Sequence, residues 1–518
     1  MSGKGKLFLG LDCSTQSFSA VAVDAENGTV RASASVNFGK DLPQYDAPFG
    51  YVQASESEFF ASPLMWLDGL ELLFERLAGK LDLSKVCAIS GSGQQHASVC
   101  LNSADAFSKI EEGEKLSAQL GNFLSREMSP IWMDVSTSQE CAEIAEAVGG
   151  DEYVLRRTGS VMTERFTGAQ IRKFFKKSLQ AYAATKRIHL NSSFLCSALA
   201  GQDAPIDFGD GAGMNLMSLE THGWDPVMLS ATAAGLAEKL PSLVPSDTCV
   251  GNISPYFVKK YGFNEECKIV AFTGDNPSSL VGTGAMVGGR ATVSLGTSDT
   301  FFASAANPTP NAGGHIFGNP AGGFMGLVCI RNGSLAREKM KESLGVDWRF
   351  FDNAAFENYS PADDGNIILP FYGGEISPKL KSSAPVIIGS ESFKRDKAAL
   401  VRALVEGQAM NMYVQARKMS AQTPDTIFLT GGAAKSGGIA QTIANVFGAR
   451  VARLESENSA ALGAAMRAAF NCGADSWEGL SEKFCKPNSF KEPMAGVSDI
   501  FAKKTARFEA AMKTHYGV

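Results

Sequence analysis

Leu9-Gly10-Leu11-Asp12-Cys13-Ser14-Thr15-Gln16-Ser17 carries an apolar strand into a turn rich in Ser and Thr and out again into a second strand. Val293-Ser294-Leu295-Gly296-Thr297-Ser298-Asp299-Thr300 repeats that pattern in the second half of the chain. Apolar runs of this length bounded by Gly, Ser and Thr read as buried strands ending in tight turns. One hairpin used twice predicts an α/β chain of two similar domains facing a central cleft. The turns also carry chemistry. Successive backbone N–H groups in such a loop point the same way, and the hydroxyls of Ser14, Thr15, Thr297 and Ser298 add donors. Ser14-Thr15-Gln16 and Gly296-Thr297-Ser298 are therefore candidate nests for phosphate oxygens that need no net positive charge. Asp12, at the end of the first strand, is placed to hold Mg²⁺ through water against those phosphates.

Working outward, Leu7–Leu11, Ser19–Asp24 and 30–38 read as a meander, with Asn27-Gly28 as a tight hairpin turn. Helical periodicity covers 56–78, 136–148 and 169–183, and a strand at 85–90 runs into Gly91-Ser92-Gly93. The character changes near residue 265. A strand at 268–273 precedes Asp275 and a glycine-rich helix; a long helix follows at 396–419, then a strand at 426–430 ending in Gly431-Gly432. Helices at 437–447 and 458–470 flank a strand at 450–454. At 518 residues the chain exceeds what one core of roughly 250–300 residues supports. The expected domains are 1–264, with the first hairpin; 265–472, with the second hairpin and Asp275; and a helical tail, 473–518, docked on the body. The stretch 104–126 reads as a charged surface insertion.

Two further clusters bear on function. Thr273-Gly274-Asp275-Asn276-Pro277 sets a carboxylate between a buried strand and a helix, where Asp275 serves either as an N-cap or as a base for a hydroxyl proton. Ser90-Gly91-Ser92-Gly93-Gln94-Gln95-His96 ends another strand, the position where ligands bind in α/β sheets. Gln95 and His96 there offer donors and acceptors matched to a polyol. Gly431-Gly432, between strand and helix, lets a nucleotide approach the backbone closely. Trp348 can stack on a base, while Arg172, Lys173, Lys176 and Lys177 read as a solvated helix face.

Composition bounds the rest. Hydrophobic residues make up 44% and charged residues 20%, and the net charge of -6 offers no global field for nucleic acid or anionic membrane. Ten scattered cysteines without a C-x-x-C pair, an N-terminus too short in apolar residues for a signal peptide and no long apolar run predict a cytoplasmic protein, monomer or homodimer. Five histidines without paired spacing argue against a zinc site, and neither a P-loop nor a G-x-S-x-G elbow occurs.

Four motifs in one order, Gly10–Ser17, Gly274-Asp275-Asn276, Leu295-Gly296-Thr297-Ser298 and Thr430-Gly431-Gly432-Ala433, resemble those of the FGGY carbohydrate kinases. The resemblance covers essentially the whole chain. It implies two actin-like, ribonuclease H-like domains (mixed sheets flanked by helices) and phosphoryl transfer from ATP·Mg²⁺ to a sugar. Gly93-Gln94-Gln95-His96, Trp132–Thr137, Arg165-Phe166-Thr167-Gly168 and Asp210–Asn215 are most similar to the subgroup acting on D-xylulose, in its longer eukaryotic form. By that resemblance His96, Arg165, Asp275 and Asn276 contact the sugar, Asp275 is the base, and Trp348, Gly431 and Gly432 lie at the adenine. The family often carries an Asn shortly after Gly432-Ala433; Ala434-Lys435-Ser436 stands here, which puts Lys435 among the nucleotide contacts. The rival readings are a family kinase of ribulose, glycerol or gluconate, a silent sugar or nucleotide sensor, and a chaperone-like ATPase.

Overall fold

The computed structural model describes residues 6–357, 359–419, 423–454 and 458–518. They form two compact units: Met1–Gly284 with Phe317–Gly323 and Asn458–Cys485, and Ala285–Ile316 with Phe324–Glu457 and Lys486–Val518.

In the first unit β1 (Leu7–Cys13), β2 (Ser17–Asp24), β3 (Thr29–Asn37), β4 (Val86–Gly93), β5 (Cys249–Asn252) and β6 (Lys268–Val270) build a sheet of order β3-β2-β1-β4-β6-β5. β7 (Thr273–Gly274) continues beside β4. β1 runs antiparallel to β2 and parallel to β4, and every one of its residues is buried, as befits the centre of a sheet covered on both faces. β3 alternates on one side only, in keeping with its place at an edge. The helix Pro63–Ala78 lays Met65, Trp66, Leu70, Leu73 and Phe74 against this sheet.

The second unit repeats the plan. β8 (Arg290–Leu295), β9 (Asp299–Ala305), β10 (Phe324–Ile330), β11 (Thr426–Thr430), β12 (Arg450–Arg453) and β13 (Ser489–Lys491) stand in the order β10-β9-β8-β11-β12-β13. β8 is antiparallel to β9 and parallel to β11, and β12 is parallel to β11. These six strands match the six of the first sheet in order and direction, with one more strand, His315–Gly318, added beyond β10, so the repeated hairpin is the visible part of a repeated domain. The helix Lys397–Met419 covers this sheet with Leu400, Leu404, Met410 and Met412.

The expected division at 264/265 and 472/473 does not follow the compact units. β6 and β7 pair with β4, which keeps 265–284 in the first unit. The helix Ser459–Asn471 joins it too, because three glycines let backbones meet. A Cβ on Gly10 would come 1.9 Å from Ala461 O, one on Gly282 1.8 Å from Ser459 O, and one on Gly463 1.9 Å from Ser278 O. The tail splits: 473–485 stays with the first unit, while the helix Ser498–Tyr516 buries Phe501, Phe508 and Met512 in the second.

Smaller differences have local causes. The loop between β2 and β3 is four residues long, and Asp24 accepts from the backbone and side-chain nitrogens of Asn27 at 3.0 and 2.8 Å. Residues 59–61 are strand rather than helix, and the 169–183 helix breaks at Ser178. The 104–126 stretch is not a surface insertion: Phe107, Leu116 and Leu120 are buried in the first core, and Glu71 accepts from Leu116 N at 3.2 Å. The basic helix is ion-paired, Arg172 and Lys176 to Glu143 and Lys173 to Glu58.

Candidate active site

In the first unit the Ser14-Thr15-Gln16 turn closes on itself, with Ser14 N donating to Ser17 O at 3.0 Å. Ser14 and Thr15 are half-buried and Gln16 is exposed, so the donors of the turn face outward. Asp12 is 9% exposed and takes Ser14 Oγ on one carboxylate oxygen at 2.5 Å and Ser92 Oγ on the other at 2.7 Å. Burial raises its pKa, and the two hydroxyls only partly offset that. No cation pairs with it among the described residues. A lone, partly desolvated carboxylate beside a phosphate nest suits Mg²⁺, which keeps most of its water and shares its ligands with substrate phosphate.

β4 and β7 end side by side, Ser92 opposite Thr273 and Gly93 opposite Gly274. That register brings Gln95, the residue before His96, to Asp275 and Asn276. Asn276 donates from its amide to Gln95 Oε1 at 2.9 Å and to Asp275 Oδ1 at 3.0 Å, and from its backbone to the same Oδ1 at 2.8 Å. Burial, and then the charge of Asp12, push Asp275 up to about 7. A carboxyl titrating near neutrality is tuned for general-base work.

His96 adopts φ 72°, a left-handed conformation that non-glycine residues enter at a cost of roughly 1–3 kcal/mol. Its Nδ1–H donates to Gly213 O at 2.8 Å, and its ring stacks on Phe166 at 4.3 Å. Strain held by such contacts is found where a side chain has been aimed for a task. Arg165, next to Phe166, is half-buried, and its guanidinium has no hydrogen-bond or ion-pair partner among the described residues.

Two residues escaped the sequence reading. Asp210 is buried, takes Ser192 Oγ at 2.5 Å and lies beside the Gln95 amide; burial holds its pKa well above the carboxylate range. Trp132, 44% exposed, donates Nε1–H to Thr15 Oγ1 at 2.8 Å, which fixes the first turn from outside. Both stand in quoted segments, but neither the carboxylate nor the indole carries a local pattern of its own.

In the second unit the Gly296-Thr297-Ser298 turn leaves Thr297 and Ser298 exposed. Its acid differs from that of the first hairpin. Asp299 is buried in a two-pronged ion pair with Arg337, at 2.8 and 2.9 Å. The two acids stand on opposite sides of their turns, Asp12 before the first and Asp299 after the second, and only Asp299 is ion-paired. Gly431 sits against this turn at φ 89°, where a Cβ would come 2.4 Å from Leu295 O, so only glycine fits. Gly432 and Lys435 are exposed beside it. Ser436 Oγ donates to Asp352 O at 3.2 Å and so ties the short helix Trp348–Asp352 to the Lys435 turn. Trp348 is 41% exposed on that helix. The second unit therefore brings Gly296–Ser298, Gly431 and Gly432 together, with the Trp348 helix joined to the Lys435 segment.

The chain is similar throughout its length to known sugar kinases. Residues 124–282 match the N-terminal domain and 291–472 the C-terminal domain of the FGGY family of carbohydrate kinases. Xylulose kinase from Rattus norvegicus is 40% identical, over 96% of this chain and 95% of its own. Xylulose kinase 2 from Arabidopsis thaliana is 38% identical, over 89% and 87%. In fold, ligand-bound xylulose kinase from Lactobacillus acidophilus superimposes with a TM-score of 0.82 at 22% identity, over 99% of both chains. With both family domains matched along one chain, relatives of 38–40% identity over most of its length and a hairpin domain built twice, the chain belongs to the FGGY family of carbohydrate kinases.

Proposed function

We propose that the protein phosphorylates D-xylulose with ATP, giving D-xylulose 5-phosphate and ADP. The observation that carries this reading is Asp275, raised to about 7 and held by Asn276 beside Gln95 and His96. Relatives as similar as the rat protein bear the name xylulose kinase. His96, Arg165, Gln95 and Asn276 bind the sugar hydroxyls. Asp275 accepts the proton of the terminal hydroxyl as that oxygen bonds to the γ-phosphorus and the bond from phosphorus to the ADP oxygen breaks. Ser14, Thr15 and Gln16, with Gly296, Thr297 and Ser298, donate to phosphate oxygens; Gly431, Gly432, Trp348 and Lys435 line the nucleotide side. Asp12 would hold Mg²⁺ through water, and the ion when bound neutralises charge on the transferring phosphoryl group. Ten free thiols and the absence, among the described residues, of a helix long and apolar enough to cross a membrane fit a reducing, cytoplasmic setting.

ADP release from ATP·Mg²⁺ measured with D-xylulose, D-ribulose, L-ribulose, glycerol, gluconate and no sugar tests the reading. D-xylulose is expected to stimulate release most strongly. A preference for another polyol would retain the base and overturn the sugar, and a flat panel would favour a sensor.

A further inference from the structure

Arg467 lies on the helix Ser459–Asn471 and is 1% exposed. No carboxylate is within ion-pair distance of it among the described residues. Instead its guanidinium donates to three backbone carbonyls: Gly91 O at 3.1 Å, Ser246 O at 3.2 Å, and Ala271 O. The nearby Asp207 carboxylate offsets part of its charge without touching it, yet a buried cation remains costly, and an apolar residue of similar volume would often serve stability as well. What an arginine adds is a planar fork of donors with fixed angles between them.

The three carbonyls are not scattered. Gly91 is in β4, four residues ahead of Gln95 and five ahead of His96. Ala271 lies between β6 and β7, four residues ahead of Asp275. Ser246 bonds Asp207 through its hydroxyl, and Asp207 Oδ1 accepts from Asp210 N at 2.8 Å at the head of the loop that ends under His96. One side chain thus grips the strand that leads to Gln95 and His96 and the segment that leads to Asp275 and, through Ser246 and Asp207, reaches the loop under His96. Ser90 Oγ reinforces the grip by donating to the same Ala271 carbonyl at 3.2 Å.

We propose that Arg467 is a positioning residue for the phosphoryl transfer: its guanidinium sets the spacing between the strand end that carries Gln95 and His96 and the one that carries Asp275. The inference rests on the reaction proposed above. Two hydrogen-bonded strands already fix their separation where they pair, but β6 ends at Val270 and β7 begins at Thr273. Across that break, before β7 pairs with β4 again, Arg467 and the Ser90 hydroxyl tie β4 to Ala271, and Arg467 alone of the two also bonds the Gly91 carbonyl and so spans both segments.

The test compares Arg467→Lys and Arg467→Met with wild type in melting temperature, kcat, KM for sugar and KM for ATP, using the sugar that the wild-type panel selects. A role limited to folding would lower the melting temperature and leave the folded enzyme's kcat intact. A positioning role lowers kcat by about 10²-fold in Arg467→Met, the scale of a displacement near 1 Å, and leaves KM for ATP unchanged. Arg467→Lys keeps the charge but loses the fork, and is expected to recover only part of that loss. If Arg467→Met does not fold, Arg467→Lys decides alone: kcat reduced about fivefold or more with KM for ATP unchanged supports the proposal. A kcat within about twofold of wild type in a folded variant overturns it. A wild type inactive on every sugar would sink the reaction itself, which the panel reveals before any variant is made.

Discussion

Asn276 donates twice to a single oxygen of Asp275, from its backbone at 2.8 Å and from its amide at 3.0 Å. The same amide reaches Gln95 Oε1, so the base is fixed to the strand end that also presents His96. Asn276→Ala keeps the backbone bond and loses both amide bonds. We expect kcat to fall about 10- to 100-fold and KM for sugar to rise, with KM for ATP unchanged. Steady-state kinetics in both substrates checks this; a change in KM for ATP alone would place Asn276 elsewhere.

Asp275 must be ionised to accept a proton, and it titrates near 7 because it is buried and because Asp12 is close. The logarithm of kcat/KM for sugar should therefore rise with pH up to about 7 and level off above it. Raising the divalent cation concentration offsets the charge of Asp12, so the same limb should move to lower pH. A profile that stays flat between about pH 5.5 and 8.5 would show that no group with this pKa limits the rate.

The same shift sets a sign for stability. The folded-state value of Asp275 lies above the ordinary 3.8. Folding is therefore favoured by the bound proton: the contribution is full below pH 3.8 and is lost as pH rises through about 7. Asp275→Asn, which cannot ionise, should melt a few degrees higher than wild type at pH 8 and by a smaller margin at pH 5. Thermal melts at the two pH values decide it. A lower melting point at pH 8 would mean that the ionised carboxylate is a net stabiliser.

Gly463 lets the helix Ser459–Asn471 touch the helix Asp275–Gly282 backbone to backbone, since a Cβ there would come 1.9 Å from Ser278 O. Backbone cannot step aside as a side chain can. Gly463→Val should cost at least about 3 kcal/mol and reduce soluble yield. Gly437→Ala, where a Cβ meets nothing within 4 Å, should melt close to wild type. Chemical denaturation of the pair measures the contrast, and equal midpoints would refute the crossing.

How much of this was legible depended on whether a residue's role is written in its neighbours. The two hairpins were, because an apolar strand and a turn of small polar residues are both local patterns. Asp275 was, because it separates a buried strand from a glycine-rich helix. Arg165 and Asn276 came only through the resemblance to the family, since a guanidinium near a helix start and an amide in a first turn look the same wherever they occur. Arg467 was invisible: the three carbonyls around it come from β4, from the break between β6 and β7 and from the loop at Ser246. The 104–126 stretch misled because most of its charges gather in the exposed run 109–115, whereas Phe107, Leu116 and Leu120, which anchor it in the core, are spread thinly around them.

The most direct test of the central claim is the turnover of Asp275→Asn with D-xylulose and ATP·Mg²⁺, alongside calorimetric binding of D-xylulose. kcat should fall by at least about 10²-fold, the usual worth of a general base, with sugar binding retained. A kcat within about tenfold of wild type would remove Asp275 from the base role and leave the reaction without its proton acceptor.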